Sequence, residues 1–192
     1  MPYSKQHKEQ TRQKILDSAI KLFSSRGYSQ VSIDELMTNA GLTRGAFYAH
    51  FKNKKVVYSK AILAGTIKSR INQKKPEGLS NEEWWKDLLM GYLSEDHIQQ
   101  KISPCPLAFL VTDIANNEKE VRATYTRMFK HLNKTIYAQL NQDTTCSKQE
   151  ILATTAMMIG GVAIARALND KEMTSRLLES CQLASLELLK IK

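Results

Sequence analysis

The sequence lacks the features that mark secreted, membrane-spanning and metal-binding proteins. Its three cysteines, Cys105, Cys146 and Cys181, are odd in number and far apart, which indicates neither a disulfide framework nor a zinc site. The longest uncharged stretch covers residues 151–165 and is shorter than the roughly 20 residues that cross a bilayer. The N-terminal sequence MPYSKQHKEQTRQK is polar where a secretory signal needs an apolar run. We therefore predict a cytoplasmic protein that spans no membrane and binds no metal.

Motifs of catalysis and of nucleotide binding are missing as well. We find no Walker phosphate loop, no glycine-rich dinucleotide turn, no G-x-S-x-G and no H-E-x-x-H. Nor does any run of residues alternate convincingly between apolar and polar, as a half-buried strand would. The sequence thus predicts a protein that is not an enzyme, needs no cofactor and contains no sheet.

Positive charge, by contrast, is concentrated at the beginning of the chain. The 192 residues carry a net charge of +9. Residues 1–55 contain ten Lys and Arg residues against four Asp and Glu residues, a net +6 that leaves +3 for the remaining 137 residues. A basic segment on a nearly neutral remainder is typical of contact with nucleic acid or, less often, with an anionic membrane surface.

Apolar residues recur at helical spacing along most of the chain, and capping patterns separate the segments. The tetrapeptides SIDE (32–35), SNEE (80–83) and SKQE (147–150) have the capping-box pattern, in which Ser and Glu three residues apart satisfy each other's backbone amides. Asn117 and Asp170 predict two more helix starts, and Pro106 predicts the first residue of a helix ending near residue 115. The sequence therefore predicts an all-α fold of about nine helices.

Two of the predicted helices are short and lie close together in the basic segment. The first covers residues 33–40 and ends at Gly41, while the second follows Thr43 and continues to about His50. Such a pair, braced by an earlier helix, is a helix-turn-helix unit, whose second helix lies in the major groove of DNA. We therefore divide the chain into a head (residues 1–53), expected to bind DNA, and a helical body (residues 54–192).

The second short helix combines small, polar and basic residues that suit contact with DNA. Thr43 starts it, so that its first amides point toward phosphate, and the Arg44 guanidinium can form two hydrogen bonds with a guanine edge or a phosphate. Phe47 and Phe51, one turn apart, are expected to pack inside. The residues expected to face the DNA are Thr43, Arg44, Gly45, Ala46, Tyr48, His50 and Lys54.

The segment YSQVSIDELMTNAGLTRGAFYAHFKNKKVVYSKAI, residues 28–62, resembles the N-terminal domain of TetR (tetracycline repressor) family regulators. A dozen positions match the family pattern G-[YF]…[ST]…I…A-G-[VLI]-[ST]…G-x-[FLI]-Y-x-[HY]-F-x-x-K in type and spacing. The resemblance implies a dimeric transcriptional repressor that an effector releases from double-stranded operator DNA. It also adds Ser32 to the expected DNA contacts.

The last two helices are the expected surface for a homodimer, because one helix-turn-helix reads too few base pairs for useful specificity. Small and apolar residues let helices approach closely in a four-helix packing across a two-fold axis. An ordinary core helix within one chain is the alternative. The residues expected at the interface are Met157, Gly160, Gly161, Ala163, Leu177, Cys181, Ala184 and Leu188.

The body is also expected to bind a small-molecule effector. Cys105 lies between two prolines at a predicted helix start, where the helix dipole favours the thiolate, and the resembling family contains such segments in regulators that respond to electrophiles or oxidants. A thiol that only packs in the core is the commoner alternative. Further residues that are either effector contacts or plain core are Trp84, Trp85, Phe109, Tyr125 and Met128.

A second function is compatible with the basic head. A non-enzymatic helical adaptor could bind acidic proteins or membrane surfaces, with FYAHF as core and the neighbouring lysines as a solvated face. It predicts binding that does not depend on DNA sequence. Charge asymmetry, two capped short helices and the glycine between them together favour the DNA-binding interpretation.

Overall fold

The computed structural model describes residues 5–140 and 146–191, and this part of the chain contains eleven α-helices and one short 3-10 helix. The 3-10 helix (Arg70–Asn72) directly follows α4. The helices are α1 (Lys5–Arg26), α2 (Ile33–Asn39), α3 (Arg44–Tyr48), α4 (Lys54–Lys68), α5 (Asn81–Tyr92), α6 (Glu95–Ile98), α7 (Pro106–Phe109), α8 (Val111–Ala115), α9 (Lys119–Leu140), α10 (Lys148–Ala165) and α11 (Lys171–Leu188). The predicted all-α fold is confirmed. None of the described helices is both long and apolar enough to cross a membrane.

Most of the predicted helix starts are confirmed by their cap geometry. Ser32, Ser80 and Ser147 each form a complete capping box with the glutamate three residues later. Asp170 caps α11 by accepting a hydrogen bond from the amide of Met173. The start predicted at Asn117 is wrong, because α9 begins at Lys119 and the Asn117 side chain donates instead to the carbonyl of Asp113.

The region between α5 and α9 contains more helices than predicted. Pro106 does occupy the first position of a helix, but that helix ends at Phe109, and a second one, α8, runs to the predicted end near residue 115. Leu110, with φ −115° and ψ 4°, interrupts the regular helical geometry between them. The short α6 was not predicted; Ser94 caps it by accepting from the amide of His97. These additions raise the count above the predicted nine.

Helix α7 lies at the centre of the molecule. All four of its residues are buried, and it contacts α1, α4, α9 and α10. It approaches α4 closely, since a Cβ atom built on Gly65 would lie 2.5 Å from Cγ of Pro106. Only glycine at position 65 therefore allows α4 and α7 to approach this closely.

Replacing Gly65 with alanine tests this contact. We expect the free energy of unfolding to fall by about 1–3 kcal/mol, because the added methyl group must push α4 and α7 apart. Gly45→Ala is the matched control: nothing lies within 4 Å of a Cβ at that position, and a gain of about 0.5–1 kcal/mol is expected from helix propensity. Urea denaturation of both variants measures the difference. Equal stability of Gly65→Ala and the unaltered protein would contradict a tight α4–α7 contact.

Candidate DNA-binding surface and interior cavity

The turn between α2 and α3 has the geometry of a helix-turn-helix. Gly41 has φ +67°, a left-handed conformation that glycine adopts without strain. The amides of Gly41 and Leu42 donate to the carbonyls of Thr38 (3.0 Å) and Met37 (2.9 Å), which is the Schellman pattern that ends α2. Ser32 caps the other end of α2 and lowers the pKa of Glu35 to about 2, through its amide first and its hydroxyl second.

Helix α3 is held from beneath by two aromatic rings. Phe47 and Phe51 are buried with their ring centroids 6.0 Å apart, as predicted for packing residues. The Arg12 guanidinium on α1 lies 4.4 Å from the centre of the Phe51 ring and donates to the carbonyl of His50 at 3.2 Å. These contacts fix the orientation of α3 on α1.

The outer side of α3 is exposed over most of the residues predicted to face DNA. Thr43, Arg44, Gly45 and Tyr48 are exposed, and the Thr43 side chain makes no capping hydrogen bond. Ala46 and His50 are half-buried and line a groove between α1 and α3 together with Lys8, which sequence reasoning missed because Lys8 lies on another helix. Burial, followed by the nearby cations Lys8 and Arg12, lowers the pKa of His50, so the imidazole is neutral at pH 7.

Arg44, the strongest candidate for a base contact, is paired in the free protein. One of its guanidinium nitrogens lies 2.8 Å from a carboxylate oxygen of Asp34, and both side chains are more than half exposed. An exposed ion pair of this kind contributes only about 0–1 kcal/mol. Arg44 can therefore exchange Asp34 for a nucleic-acid acceptor at little cost.

The side chains of two predicted DNA contacts are already bonded to other groups of the chain. The Lys54 ammonium donates to the carbonyl of Val31 at 2.7 Å and lies 4.2 Å from the centre of the Tyr28 ring. Partial burial lowers the pKa of Lys54. This use differs from the predicted phosphate contact, because the ammonium is bonded to a backbone carbonyl of the same chain. The Ser32 hydroxyl is bonded to Glu35, although Ser32 remains exposed.

A cavity of about 130 Å³ lies in the body, between the C-terminal end of α4, α5 and the segment before α7. Tyr92, His97 and Cys105 all line it. The His97 ring bonds through Nδ1 to the carbonyl of Tyr92 (2.6 Å), and its Nε2 accepts from the amide of Cys105 (3.1 Å). This pair of bonds requires a neutral ring with the proton on Nδ1, in agreement with a His97 pKa lowered chiefly by burial. His97 had no role assigned from the sequence.

The thiolate predicted at Cys105 is a wrong prediction. The side chain is 6% exposed, and burial raises the pKa of the thiol. Helix α7 is only four residues long, so its dipole is too weak to outweigh the loss of water around the sulfur. Cys105 is thus a protonated wall residue of the cavity.

The other residues predicted to contact an effector are not brought together at this cavity. Trp84 and Trp85 line a separate groove near the 3-10 helix, and Met128 is buried in the core on α9. Phe109 packs behind His97 with ring centroids 5.2 Å apart, and the Tyr125 hydroxyl donates to the carbonyl of Leu107 at 2.8 Å. For these five residues the plain core interpretation fits the structure better.

Comparisons with known proteins agree with the helix-turn-helix geometry. The sequence profile described as "Bacterial regulatory proteins, tetR family" matches residues 15–60. The chain is 33% identical over 92 residues to the uncharacterized HTH-type transcriptional regulator TtgW of Pseudomonas putida, an alignment covering 48% of this chain and 67% of TtgW. The chain belongs to the TetR family.

Other relatives match over shorter lengths. Identity to the HTH-type transcriptional regulator AcrR of Shigella flexneri is 50% over 56 residues, which is 29% of this chain and 26% of AcrR. Identity to the HTH-type transcriptional regulator SrpR of Pseudomonas putida is 35% over 92 residues, 48% of this chain and 42% of SrpR. The chain thus spans between about a quarter and two-fifths of the length of these two curated relatives.

Solved structures share the TetR fold over nearly the whole chain. The reduced form of E. coli NemR superimposes with a TM-score of 0.73 at 18% identity, covering 93% of this chain and 96% of NemR. A TetR transcriptional regulator from Chloroflexus aurantiacus gives a TM-score of 0.72 at 18% identity, covering 95% and 94%. At such identity the likeness extends to the fold alone.

In this TetR-family chain, two side chains of the body hold the head. The Asp113 carboxylate on α8 accepts from the amide of Tyr28 (3.3 Å) and from the hydroxyl of Tyr58. The half-buried Arg166, at the end of α10, donates to the carbonyls of Ser24 (2.9 Å) and Phe109 (3.2 Å). We call these contacts the head–body joint. Sequence reasoning missed it, because its partners are up to 142 positions apart.

The residues predicted for a dimer interface fall into two groups. Met157, Gly160, Ala163, Leu177, Ala184 and Leu188 are half-buried in the single chain. Gly161 is buried, and a Cβ there would lie 3.0 Å from the Cys181 sulfur, so these two residues join α10 to α11 within one chain. For Gly161 and Cys181 this contact favours the intrachain alternative. Large apolar side chains that are exposed on the two helices are Leu152, Ile164, Met173 and Leu183.

The Tyr92 hydroxyl generates a prediction about stability. Its oxygen is buried, and among residues 5–140 and 146–191 the one group placed to bond it is the Cys105 thiol, a weak acceptor. Since an unmatched buried polar group costs about 1–3 kcal/mol, we expect Tyr92→Phe to raise the free energy of unfolding by about 1 kcal/mol. Tyr125→Phe is the matched control, expected to lower it by about 1 kcal/mol because the Tyr125 hydroxyl is bonded. Thermal and urea denaturation decide; a loss of stability in Tyr92→Phe would mean that the hydroxyl has a partner.

Proposed function

We propose that the protein is a sequence-specific regulator of transcription, and that it represses genes by binding an operator with its helix-turn-helix. The observation that carries this proposal is the exposed, braced α3 with Arg44 in an exchangeable ion pair. The family membership of residues 15–60 supports it. The proposed head, residues 1–53, binds DNA, and the proposed body, residues 54–192, regulates that binding without catalysing a reaction. Its place of action is the cytoplasm.

The proposed DNA contacts are of two kinds, contacts with base edges and contacts with phosphates. Arg44 is proposed to read a base, because guanidinium groups form paired hydrogen bonds with guanine in the major groove. Thr43, Tyr48 and Lys8 are proposed to contact phosphates from either side of α3. Gly45 and Ala46 carry no bulky side chain, so the backbone of α3 can approach the base edges.

Replacing Arg44 tests the proposal. On a promoter fragment from upstream of its own gene, Arg44→Ala should bind about 1–3 kcal/mol more weakly, while binding to scrambled DNA changes less. Arg127→Ala removes the same charge from the exposed surface of α9 and should leave operator affinity almost unchanged. Fluorescence anisotropy at fixed salt measures the affinities of the unaltered protein and of both variants for the two DNA fragments. Equal affinity of the unaltered protein for promoter and scrambled DNA would exclude operator recognition and favour the adaptor function.

We further propose that two copies of the chain bind the operator together. Their contact is the apolar outer surface of α10 and α11, in which the small residues Ala156 and Gly160 lie between the larger Leu152 and Ile164. A close helix–helix contact across a two-fold axis suits such a surface. Pairing would place two copies of α3 about one DNA turn, roughly 34 Å, apart.

A charge on this surface should separate the dimer. Ile164→Lys is expected to shift the protein from dimer to monomer at micromolar concentration, because the ammonium group would be buried against the second copy. Ile67→Lys, on α4, is the matched control, since Ile67 is 52% exposed and Ile164 is 54% exposed. Sedimentation velocity distinguishes the two forms. A dimer in Ile164→Lys, or a monomer in the unaltered protein, would contradict the proposed interface.

The effector is proposed to be a small molecule that binds reversibly in the body. The buried position of Cys105 and its raised pKa give little support to direct sensing of oxidants or electrophiles by a thiolate. The joint formed by Asp113 and Arg166 provides the physical connection through which a change in the body alters the head.

A further inference from the structure

The cavity in the body has the size of a small ligand. Its volume of about 130 Å³ is close to the roughly 150 Å³ of an apolar protein cavity that binds benzene. Leu88, Ile71, Ile102 and Pro104 supply apolar wall. The two cations at its edge, Lys68 and Arg70, are paired with the carboxylates of Asp17 and Asp87. A molecule of about six to eight non-hydrogen atoms fits this volume, and the largely apolar wall favours one without charge.

One polar group in the cavity wall lacks a strong hydrogen-bond acceptor. The Tyr92 hydroxyl is buried, and among the described residues its one candidate hydrogen-bond partner is the Cys105 thiol. The Cys105 thiol beside it is at best a weak acceptor. The Tyr92 ring is held in place by the His97 ring, with centroids 4.7 Å apart. Both nitrogens of His97 are already bonded, to Tyr92 and Cys105, so His97 offers a ligand nothing further.

Unmatched buried donors are uncommon in folded proteins, and each calls for an explanation. Burial, and next to it the proximity of Cys105, raises the pKa of Tyr92 well above its usual range, so the phenol is a donor. A ligand oxygen that accepts from Tyr92 would supply the missing partner. A carbonyl oxygen suits the position, since it accepts a hydrogen bond without bringing a charge into an apolar cavity.

We propose that this cavity binds a small uncharged carbonyl compound, whose oxygen accepts a hydrogen bond from the hydroxyl of Tyr92. The hydroxyl lies beside the Cys105 thiol and is closed to solvent. A ligand oxygen therefore reaches it only by separating Tyr92 from Cys105. Because Cys105 is the N-cap of α7, this separation moves α7, on which the joint to the head depends. The ligand class rests on the observed cavity, while its effect on DNA rests on the proposed function.

Binding to the purified full-length chain without DNA tests the site. Cyclohexanone and methylenecyclohexane have nearly the same shape, but only the ketone accepts a strong hydrogen bond. By calorimetry, we expect roughly tenfold tighter binding of cyclohexanone, as one matched hydrogen bond provides. Tyr92→Phe should abolish this preference, whereas Tyr125→Phe should keep it because the Tyr125 hydroxyl is bonded to Leu107. Equal affinity for the two compounds, or a preference that survives Tyr92→Phe, would overturn the proposal.

A second measurement separates the ligand site from the regulatory role. Cyclohexanone is added to the complex of the protein with its promoter fragment, and operator affinity is compared in the unaltered protein and in Tyr92→Phe. A loss of at least fivefold in the unaltered protein alone supports the coupling through α7. Binding of cyclohexanone with no change in operator affinity overturns the coupling and leaves the site. A chain that binds the ketone but never prefers its promoter overturns the proposed function, and the binding comparison still stands.

Discussion

The half-buried guanidinium of Arg166 joins three parts of the molecule that are far apart in sequence. It donates to carbonyls at the end of α1 and at the end of α7, and its plane lies 3.9 Å from the centre of the Phe109 ring. Its partners are backbone oxygens and an aromatic face rather than a carboxylate, so the charge is stabilised by fixed dipoles. Burial lowers the pKa of Arg166, because the guanidinium has lost part of the water around it. The orientation of the head relative to α10 depends on this group and on Asp113.

Local interactions decided how much of the fold could be predicted. Capping boxes at Ser32, Ser80 and Ser147 involve residues only three positions apart, and the left-handed glycine at position 41 acts within one turn. Each is visible in a short window of sequence. Asn117 shows the limit of such reasoning. Its side chain could cap the helix that follows or bond to the helix before it, and it donates to the carbonyl of Asp113 in the helix before it.

The candidate DNA-binding surface could also be predicted from short-range patterns in the sequence, whereas the cavity could not. Exposed Thr43, Arg44 and Tyr48 lie within a single short element, so their common side follows from helical spacing. The contacts of His97 and Tyr92 with Cys105 could not be predicted from the sequence. They form only because the segment between α6 and α7 folds back onto α5 and α6. The wrong expectation for Cys105 has the same origin, since sequence reveals a helix start but not the removal of water around it.

Helix α4 runs without interruption from the candidate DNA-binding surface to the cavity in the body. Its 15 residues span about 22 Å, from Lys54 beneath the Tyr28 ring to Lys68 at the cavity. Tyr58, whose hydroxyl is bonded to Asp113, lies about one turn from the Lys54 end of α4. The segment of α4 from Tyr58 to the cavity is therefore about two and a half times as long as the segment from Tyr58 to Lys54, about 15 Å against 6 Å. Under the proposed function, a straight helix anchored at Tyr58 would turn a sideways shift near Gly65 into a smaller, opposite shift at Lys54.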